Sequence, residues 1–232
     1  MFQHMVFNGA KYFLSDWMPT YYDTVFGIPP HEASFYLLTA ELVGVVAQLS
    51  CGKLEHAVRT RLDLSILASR RLFSASGFGL IAVVFVLMAT FPSPGLQCLW
   101  LSMATISNAA HSAGFKSNYL DLTKTHQGLL MGAGNTVATL ITFVFPIVVA
   151  YTLTPAGSHG GEVKTTSAPA VAAVVVDGTA DQSGGGDAAS RHAWSFIFLA
   201  IAGLCTSGAV VSTTFTSINS IDAGIHHATQ QR

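Results

Sequence analysis

Two ionisable side chains stand in the middle of long apolar stretches of this 232-residue sequence. Lys11 lies near the centre of the stretch from Phe2 to Tyr22, and Glu41 lies in the next one. A charge at the centre of a lipid bilayer costs about 2.5–3.5 kcal/mol, so it usually faces a water-filled cavity or an opposite charge. We therefore expect Lys11 and Glu41 either to form an ion pair or to share a cavity. An ion pair would only hold two helices together, whereas a cavity would serve transport.

Polar side chains also recur at helical spacing in two of the apolar stretches. The two sets are Asn8, Tyr12, Ser15 and Pro19, and Asn135, Thr139, Thr142 and Pro146. Their spacing of i, i+4, i+7 and i+11 places each set on one face of a helix. Such a face either lines a solute path or makes hydrogen bonds between helices, worth about 1 kcal/mol each. We expect Lys11, Tyr12 and Asn135 to line the path.

A histidine in the fourth apolar stretch adds a group that titrates near physiological pH. His111 is a candidate for ion coupling, although a packed, hydrogen-bonded histidine is the more common arrangement. The sequence has no hydrolase elbow, P-loop or zinc motif, and its three cysteines lie far apart. Neither an enzyme nor a metal site is expected.

Six stretches are long and apolar enough to cross a bilayer, which takes about 20 residues of helix. They run Phe2–Tyr22, Ala33–Cys51, Leu72–Phe91, Gly95–Phe115, Gln127–Tyr151 and Ala193–Phe215. Only 10% of the residues are charged, whereas soluble domains carry roughly 25%. The net charge of -1, without a basic stripe, argues against nucleic acid as a partner. We predict an all-α, multi-pass membrane protein with six transmembrane helices, because lipid offers the backbone no other hydrogen-bonded structure.

Basic residues indicate how the chain is oriented. The connection after the second predicted span carries Lys53, Arg59, Arg61, Arg70 and Arg71. Lys and Arg near the ends of spans favour the cytoplasmic side. We expect the four arginines to fix the topology from the cytoplasm and to gate the inner face.

The same pattern divides the chain into four parts. Residues 1–151 hold five spans, residues 152–190 form a flexible extracytoplasmic linker rich in Gly, Ala, Ser and Thr, residues 191–215 hold the last span, and residues 216–232 form a cytoplasmic tail.

Two stretches around the fifth span carry the pattern of a known family. Residues 114–121 have the sequence GFKSNYLD, and residues 128–136 have the sequence GLLMGAGNT. They resemble the patterns G-F-x-x-N-x-x-D and G-x-L-M-G-x-x-N-T of the anion:cation symporters in the major facilitator superfamily. That family includes the type I phosphate transporters, the sialins and the vesicular glutamate transporters.

Two further regions agree with this resemblance. The first span is similar to the seventh helix of the family at Asn8, Tyr12, Trp17, Pro19, Thr20 and Tyr21. The basic connection is similar to the loop between helices eight and nine at Gly52, Arg59, Arg61, Ser65, Arg70 and Arg71. By the resemblance, the six spans correspond to helices seven to twelve, half of the superfamily fold.

The resemblance implies transport of a small organic or inorganic anion by alternating access, with coupling to Na⁺ or H⁺ and no other cofactor. Because the superfamily fold has two six-helix halves, it implies a second half as partner and an incomplete chain. A half-transporter that acts as a dimer is one alternative, and a non-transporting accessory or regulatory bundle is another. The membrane concerned is not indicated.

Several positions depart from the family pattern, and those at positions 7, 11 and 41 bear on the substrate. Lys11 stands where the family has Phe, Glu41 replaces an aromatic residue or His, and some members carry a basic residue where Phe7 stands. Lys11 is therefore the candidate for the positive charge that an anionic substrate requires, and Glu41 for tuning it.

Overall fold

A computed structural model describes residues 1–153 and 188–217 of the chain. All regular secondary structure in these two ranges is helical. A π-helical turn, Ser112–Lys116, follows α4 directly and is called the π turn below. The α-helices are α1 Phe2–Phe26, α2 Pro30–Arg61, α3 Ile66–Thr90, α4 Pro94–His111, α5 Ser117–Leu122, α6 Gln127–Leu153 and α7 Ala188–Thr214.

Local sequence explains where several helices begin and end. Gly27 ends α1 with φ 66°, a left-handed conformation that costs glycine little. Pro30 and Pro94 stand in the first turns of α2 and α4, where the missing amide hydrogen is not needed. Ser65 caps α3, because its side chain accepts a hydrogen bond from the Ala68 amide at 3.2 Å.

Aromatic side chains from α1, α3 and α7 form the centre of the core. The ring of Phe13 lies 6.1 Å from Phe85, 6.4 Å from Trp194 and 6.1 Å from Phe198, centroid to centroid. Trp194 is fully buried, and its indole nitrogen donates a hydrogen bond to Thr24. Each such ring pair adds about 0.5–1.5 kcal/mol beyond the burial of its area.

The other helices pack around this core in pairs. α2 lies against α4, and α6 lies against α1. Gly44 allows the close approach of α2, because a Cβ there would lie 2.8 Å from the Cβ of Thr105 on α4. The polar helices α1 and α4 are therefore each flanked by a helix with a largely exposed apolar face.

The prediction of an all-helical chain is confirmed for the described residues. Four helices in these ranges, α2, α3, α6 and α7, are long and apolar enough to cross a membrane by length and composition. The helices α1 and α4 overlap the first and fourth predicted spans but do not meet that standard of apolarity. Both carry polar side chains that face a cavity, as described below.

Some predicted boundaries differ from the structure. α2 continues to Arg61, ten residues past the predicted end at Cys51, and α4 stops at His111, short of Phe115. α6 extends to Leu153 and α7 begins at Ala188, so both enter the predicted linker 152–190. The rest of that linker, 154–187, and most of the predicted tail, 218–232, lie outside the described residues.

Candidate anion-binding site

Three helices and the π turn enclose a cavity of about 250 Å³. Pockets for drug-sized ligands span roughly 300–1,000 Å³, so this one suits a smaller solute. Lys11 and Glu41 are exposed within it, so the cavity opens to the surface of the bundle. Its lining consists of Phe7, Lys11, Glu41, Gly44, Val45, Gln48, Leu49, Thr105, Asn108, Ala109 and Lys116.

Lys11 and Glu41 thus line one cavity. Within the described ranges, three ion pairs lie within 4.0 Å, and Lys11 with Glu41 is not among them. Of the two arrangements expected from the sequence, the structure has the shared cavity.

A second, smaller cavity of about 20 Å³ continues from the first. That space holds about one water molecule. It reaches Ser15 on α1 and Leu37 on α2, nearer the opposite end of the bundle. The two cavities share a ring of side chains, namely Lys11, Glu41, Thr105 and Asn108.

Within this ring, Asn108 offers an acceptor that the described residues leave without a hydrogen bond. Its Oδ1 atom is buried, and no described residue donates a hydrogen bond to it. Thr105, in contrast, donates its hydroxyl to the carbonyl oxygen of Ala40 at 2.8 Å, which ties α4 to α2. A buried acceptor without a partner is costly, so the Asn108 oxygen is available to a hydroxyl, an ammonium group or a water.

Lys116 brings a second cation to the cavity, and the sequence analysis missed it as a site residue. It lies beyond the predicted fourth span, at the end of the π turn, and its Nζ lies 4.0 Å from the centroid of the Phe7 ring. Burial and the nearby charge of Lys11 lower the pKa of Lys116 to about 8. The sequence does not predict this contact, because Phe7 and Lys116 are 109 positions apart.

The other predicted path residues lie outside both cavities. Tyr12 is 42% exposed on α1, and Asn135 is exposed on α6. The hydroxyls of Thr139 and Thr142 donate to carbonyl oxygens of their own helix, at Asn135 and Thr139. The described part of the chain therefore shows no hydrogen bond from these two threonines to another helix.

His111 lies in the packed interior and is not among the cavity-lining residues. It is fully buried, with its ring centroid 4.2 Å from Phe78 and 5.1 Å from Phe7. Neither ring nitrogen has a hydrogen-bond partner among the described residues. The structure thus separates His111 from the ring formed by Lys11 and Glu41.

The four arginines lie in helices and not in a loop. Arg59 and Arg61 belong to the last turns of α2, and Arg70 and Arg71 to the first turns of α3. Arg59 pairs with Glu55 at 3.5 Å.

Arg70 and Arg71 connect α3 to other parts of the bundle. Arg70 donates to Asp121 and to the carbonyl oxygen of Ala113, both at 2.8 Å. Arg71 donates to the carbonyl oxygen of Thr216 beyond α7. These two arginines therefore tie one end of the bundle together.

Comparison with known proteins finds sialins and vesicular glutamate transporters among the relatives of this chain. Human sialin is 30% identical over 159 residues, which is 68% of this chain and 32% of sialin. Bovine vesicular glutamate transporter 1 is 28% identical over 131 residues, 56% of this chain and 23% of that protein. Zebrafish vesicular glutamate transporter 2.1 matches over the same number of residues at 28% identity.

The chain spans between 22% and 32% of the length of these curated relatives. No family model matches it. The resemblance to the anion:cation symporters of the major facilitator superfamily is nevertheless confirmed by these relatives. Together with its apolar helices, they show an integral membrane protein.

Proposed function

We propose that this relative of the anion:cation symporters takes part in moving a small anion across a membrane, as one six-helix half of a secondary transporter. The observation that carries the proposal is the cavity lined by Lys11 and Lys116. In the described residues neither lysine has a carboxylate within 4.0 Å. Two ammonium groups against the one carboxylate of Glu41 leave this small cavity with an excess of positive charge, which favours a solute of negative charge.

The position of the charged ring supports a transport path. Lys11, Glu41, Thr105 and Asn108 stand where the larger and the smaller cavity meet. The two cavities extend towards opposite ends of the bundle along α1, α2 and α4. A solute bound at the ring is therefore in place to be exposed to either side, as alternating access requires.

The exposed helix faces support a partner bundle. Only 11% of the apolar windows of α2 and α6 is buried. Their exposed apolar side chains include Leu42 and Leu49 on α2, and Leu140 and Ile147 on α6. Six transmembrane helices of one half, packed against a second six-helix half through these flanking helices, would close the open cavity. The second half is either a separate bundle or a second copy of this chain.

The proposal includes coupling to Na⁺ or H⁺, which is implied by the resemblance to the symporter family. Glu41 is the carboxylate among the side chains shared by the two cavities. A coupling ion bound at Glu41 would therefore act directly on the anion site. His111 lies outside the cavity, so its influence would pass through packing.

The experiment compares two forms of the protein in proteoliposomes. The chain by itself, and the chain fused behind the first six helices of human sialin, are tested for uptake of labelled phosphate, glutamate and sialic acid. We expect saturable uptake of an anion by the fusion, and its loss in the fusion with Lys11→Gln. Lys53→Gln, an exposed lysine outside the cavity, is the matched control.

Each outcome bears on the proposal. Uptake by the chain alone would identify a half-transporter acting as a dimer. Uptake equal to that of empty vesicles in both forms would contradict transport and favour a non-transporting bundle. Unchanged flux after Lys11→Gln would remove Lys11 from the path.

A further inference from the structure

We propose that Lys116 is an anion-binding residue of the cavity, that Phe7 positions its ammonium group, and that its protonation makes anion binding depend on pH. This inference rests on the proposed function, since it concerns the same cavity. The lysine concerned follows the fourth predicted span and was not among the site residues predicted from the sequence.

The first step is the path of the chain after α4. The π turn ends at Lys116, and Gly114 within it has ψ -118°, outside the helical range. A Cβ at Gly114 would lie 2.7 Å from the backbone nitrogen of Ser74, so α3 approaches the turn closely. Here the turn returns the chain to the cavity instead of continuing α4 away from it.

The second step is the position of the Lys116 ammonium group. Lys116 Nζ lies 4.0 Å from the Phe7 centroid, within the roughly 6 Å over which a cation is attracted to a ring face. Phe7 is 4% exposed, and the rings of His111 and Phe115 lie 5.1 and 5.7 Å from it. The phenyl ring of Phe7 is therefore held in place by its neighbours. Lys116, whose ammonium lies over that ring, lines the same cavity as Lys11.

The third step is the electrostatic setting. The groups that interact with Lys116 are Lys11 and His4 on α1, and His111 on α4, while Glu41 on α2 lines the same cavity. The cavity thus holds two ammonium groups and one carboxylate. An anion relieves the repulsion between the two lysines.

The fourth step is the loss of the Lys116 charge as the pH rises. Burial, and to a smaller degree Lys11, lower the pKa of Lys116 to about 8. The site therefore holds both positive charges below pH 8 and loses one of them as the pH rises. Anion affinity should fall over the same range.

The test measures binding directly, by equilibrium dialysis of radiolabelled sulfate against the full chain in lipid nanodiscs between pH 6.5 and 9.5. Sulfate keeps its two charges over this range. For the unmodified chain we expect affinity to fall about tenfold, with a midpoint near the Lys116 pKa of about 8.

Variants separate binding from structure. Lys116→Gln should bind weakly at every pH, and Lys116→Arg should bind well without the fall, because arginine stays charged throughout. Phe7→Leu should weaken binding and move the midpoint downwards, because the ring face that stabilises the charged ammonium is lost. Phe7→Tyr, which keeps a ring face, should restore both. Lys53→Gln should behave as the unmodified chain.

Two results would overturn the inference. One is sulfate affinity in Lys116→Gln equal to that of the unmodified chain, and the other is the same fall with pH in Lys116→Arg, which would assign the titration to another group. Absence of measurable sulfate binding by the unmodified chain would also count against it. Because the assay involves no flux, pH-dependent binding without uptake would retain this inference and contradict the proposed function, and uptake insensitive to Lys116 would do the reverse.

Discussion

Glu41 is the carboxylate that an anion would meet where the two cavities join, if the proposed function is correct. Because it forms no ion pair with Lys11 within 4.0 Å among the described residues, we expect it to act on such a solute by long-range repulsion. We expect Glu41→Gln to tighten sulfate binding by roughly fivefold, about 1 kcal/mol at an effective dielectric typical of such sites. Equilibrium dialysis measures the change.

The thermal unfolding midpoint of Glu41→Gln should stay close to that of the unmodified chain, since the charge is exposed. Glu32→Gln, an exposed glutamate at the start of α2, is the control. Weaker binding in Glu41→Gln would show that Glu41 holds the anion, not that it repels it.

Lys116 also makes the stability of the fold depend on pH. Its pKa of about 8 lies below the value of 10.5 expected for the unfolded chain. Between these two values the unfolded state binds more protons, so the free energy of unfolding rises with pH across that window. Comparison of unfolding midpoints in detergent at pH 7.5 and 10 should show a rise that is smaller in Lys116→Gln. An identical rise in both proteins would contradict this assignment.

At the scale of residues, the cost of burying a charge predicts that Lys11 and Glu41 share a site. It does not predict Lys116, because a lysine after a span is explained equally well by topology. The sequence shows that position 7 is aromatic where some family members are basic. Only the structure shows that the Lys116 ammonium lies over this ring.

The junction of α3, α5 and the π turn depends on Arg70. This guanidinium is 17% exposed and joins Asp121 and the carbonyl oxygen of Ala113. We expect Arg70→Gln to destabilise the chain by about 1–3 kcal/mol, because it leaves the buried carbonyl oxygen of Ala113 and the partly buried Asp121 carboxylate without this donor. Asp121→Asn should cost less, since the bond to Ala113 remains. Unfolding in a denaturing detergent titration measures both, and a double-mutant cycle gives their coupling.

Arg61→Gln is the matched control for this junction. Arg61 is exposed at the end of α2, so its loss should change stability by less than about 0.5 kcal/mol. Equal losses in Arg61→Gln and Arg70→Gln would mean that the junction contributes nothing specific.

The close approach of α3 to the π turn depends on the absence of a side chain at position 114. In Gly114→Ala the new methyl group would meet the Ser74 backbone, which has little freedom to move. We expect a loss of about 1–3 kcal/mol, typical of overpacking.

Gly132→Ala on α6 provides the comparison, since no described atom lies within 4 Å of the added carbon. It should be neutral or slightly stabilising, because alanine favours a helix by up to about 1 kcal/mol over glycine. Detergent unfolding of both variants distinguishes them, and similar stabilities would contradict the packing argument.

At the scale of elements, apolar length alone predicts where six long helices lie. It does not predict that α2 runs on to Arg61, because hydropathy marks the end of the apolar segment and not the end of the helix. Residues such as Glu55 and Arg59 continue the helix as an i,i+4 pair. The break after His111 was equally hidden, since it lies where Gly114, with its non-helical ψ, comes close to Ser74 of a helix that is distant in the sequence.

At the scale of the whole molecule, the orientation predicted from the basic residues is testable at two described turns. With Cys51, Cys98 and Cys205 replaced by alanine, single cysteines at Ile28 and Asp63 report the two ends of α2. In sealed membrane vesicles with the cytoplasmic side outwards, we expect an impermeant maleimide to label Asp63→Cys directly, and Ile28→Cys only after permeabilisation. Labelling of both from the same side would show that α2 does not cross the membrane.

The two ends of the described fold lie together. The Gln3 amide near the start of α1 donates to Ser212 and Thr216 beside the end of α7, and Arg71 binds the carbonyl oxygen of Thr216. A polypeptide that joined two such bundles in tandem would therefore leave one and reach the next along a single surface. A tether between the two could lie flat on that one face, with no need for an additional crossing segment.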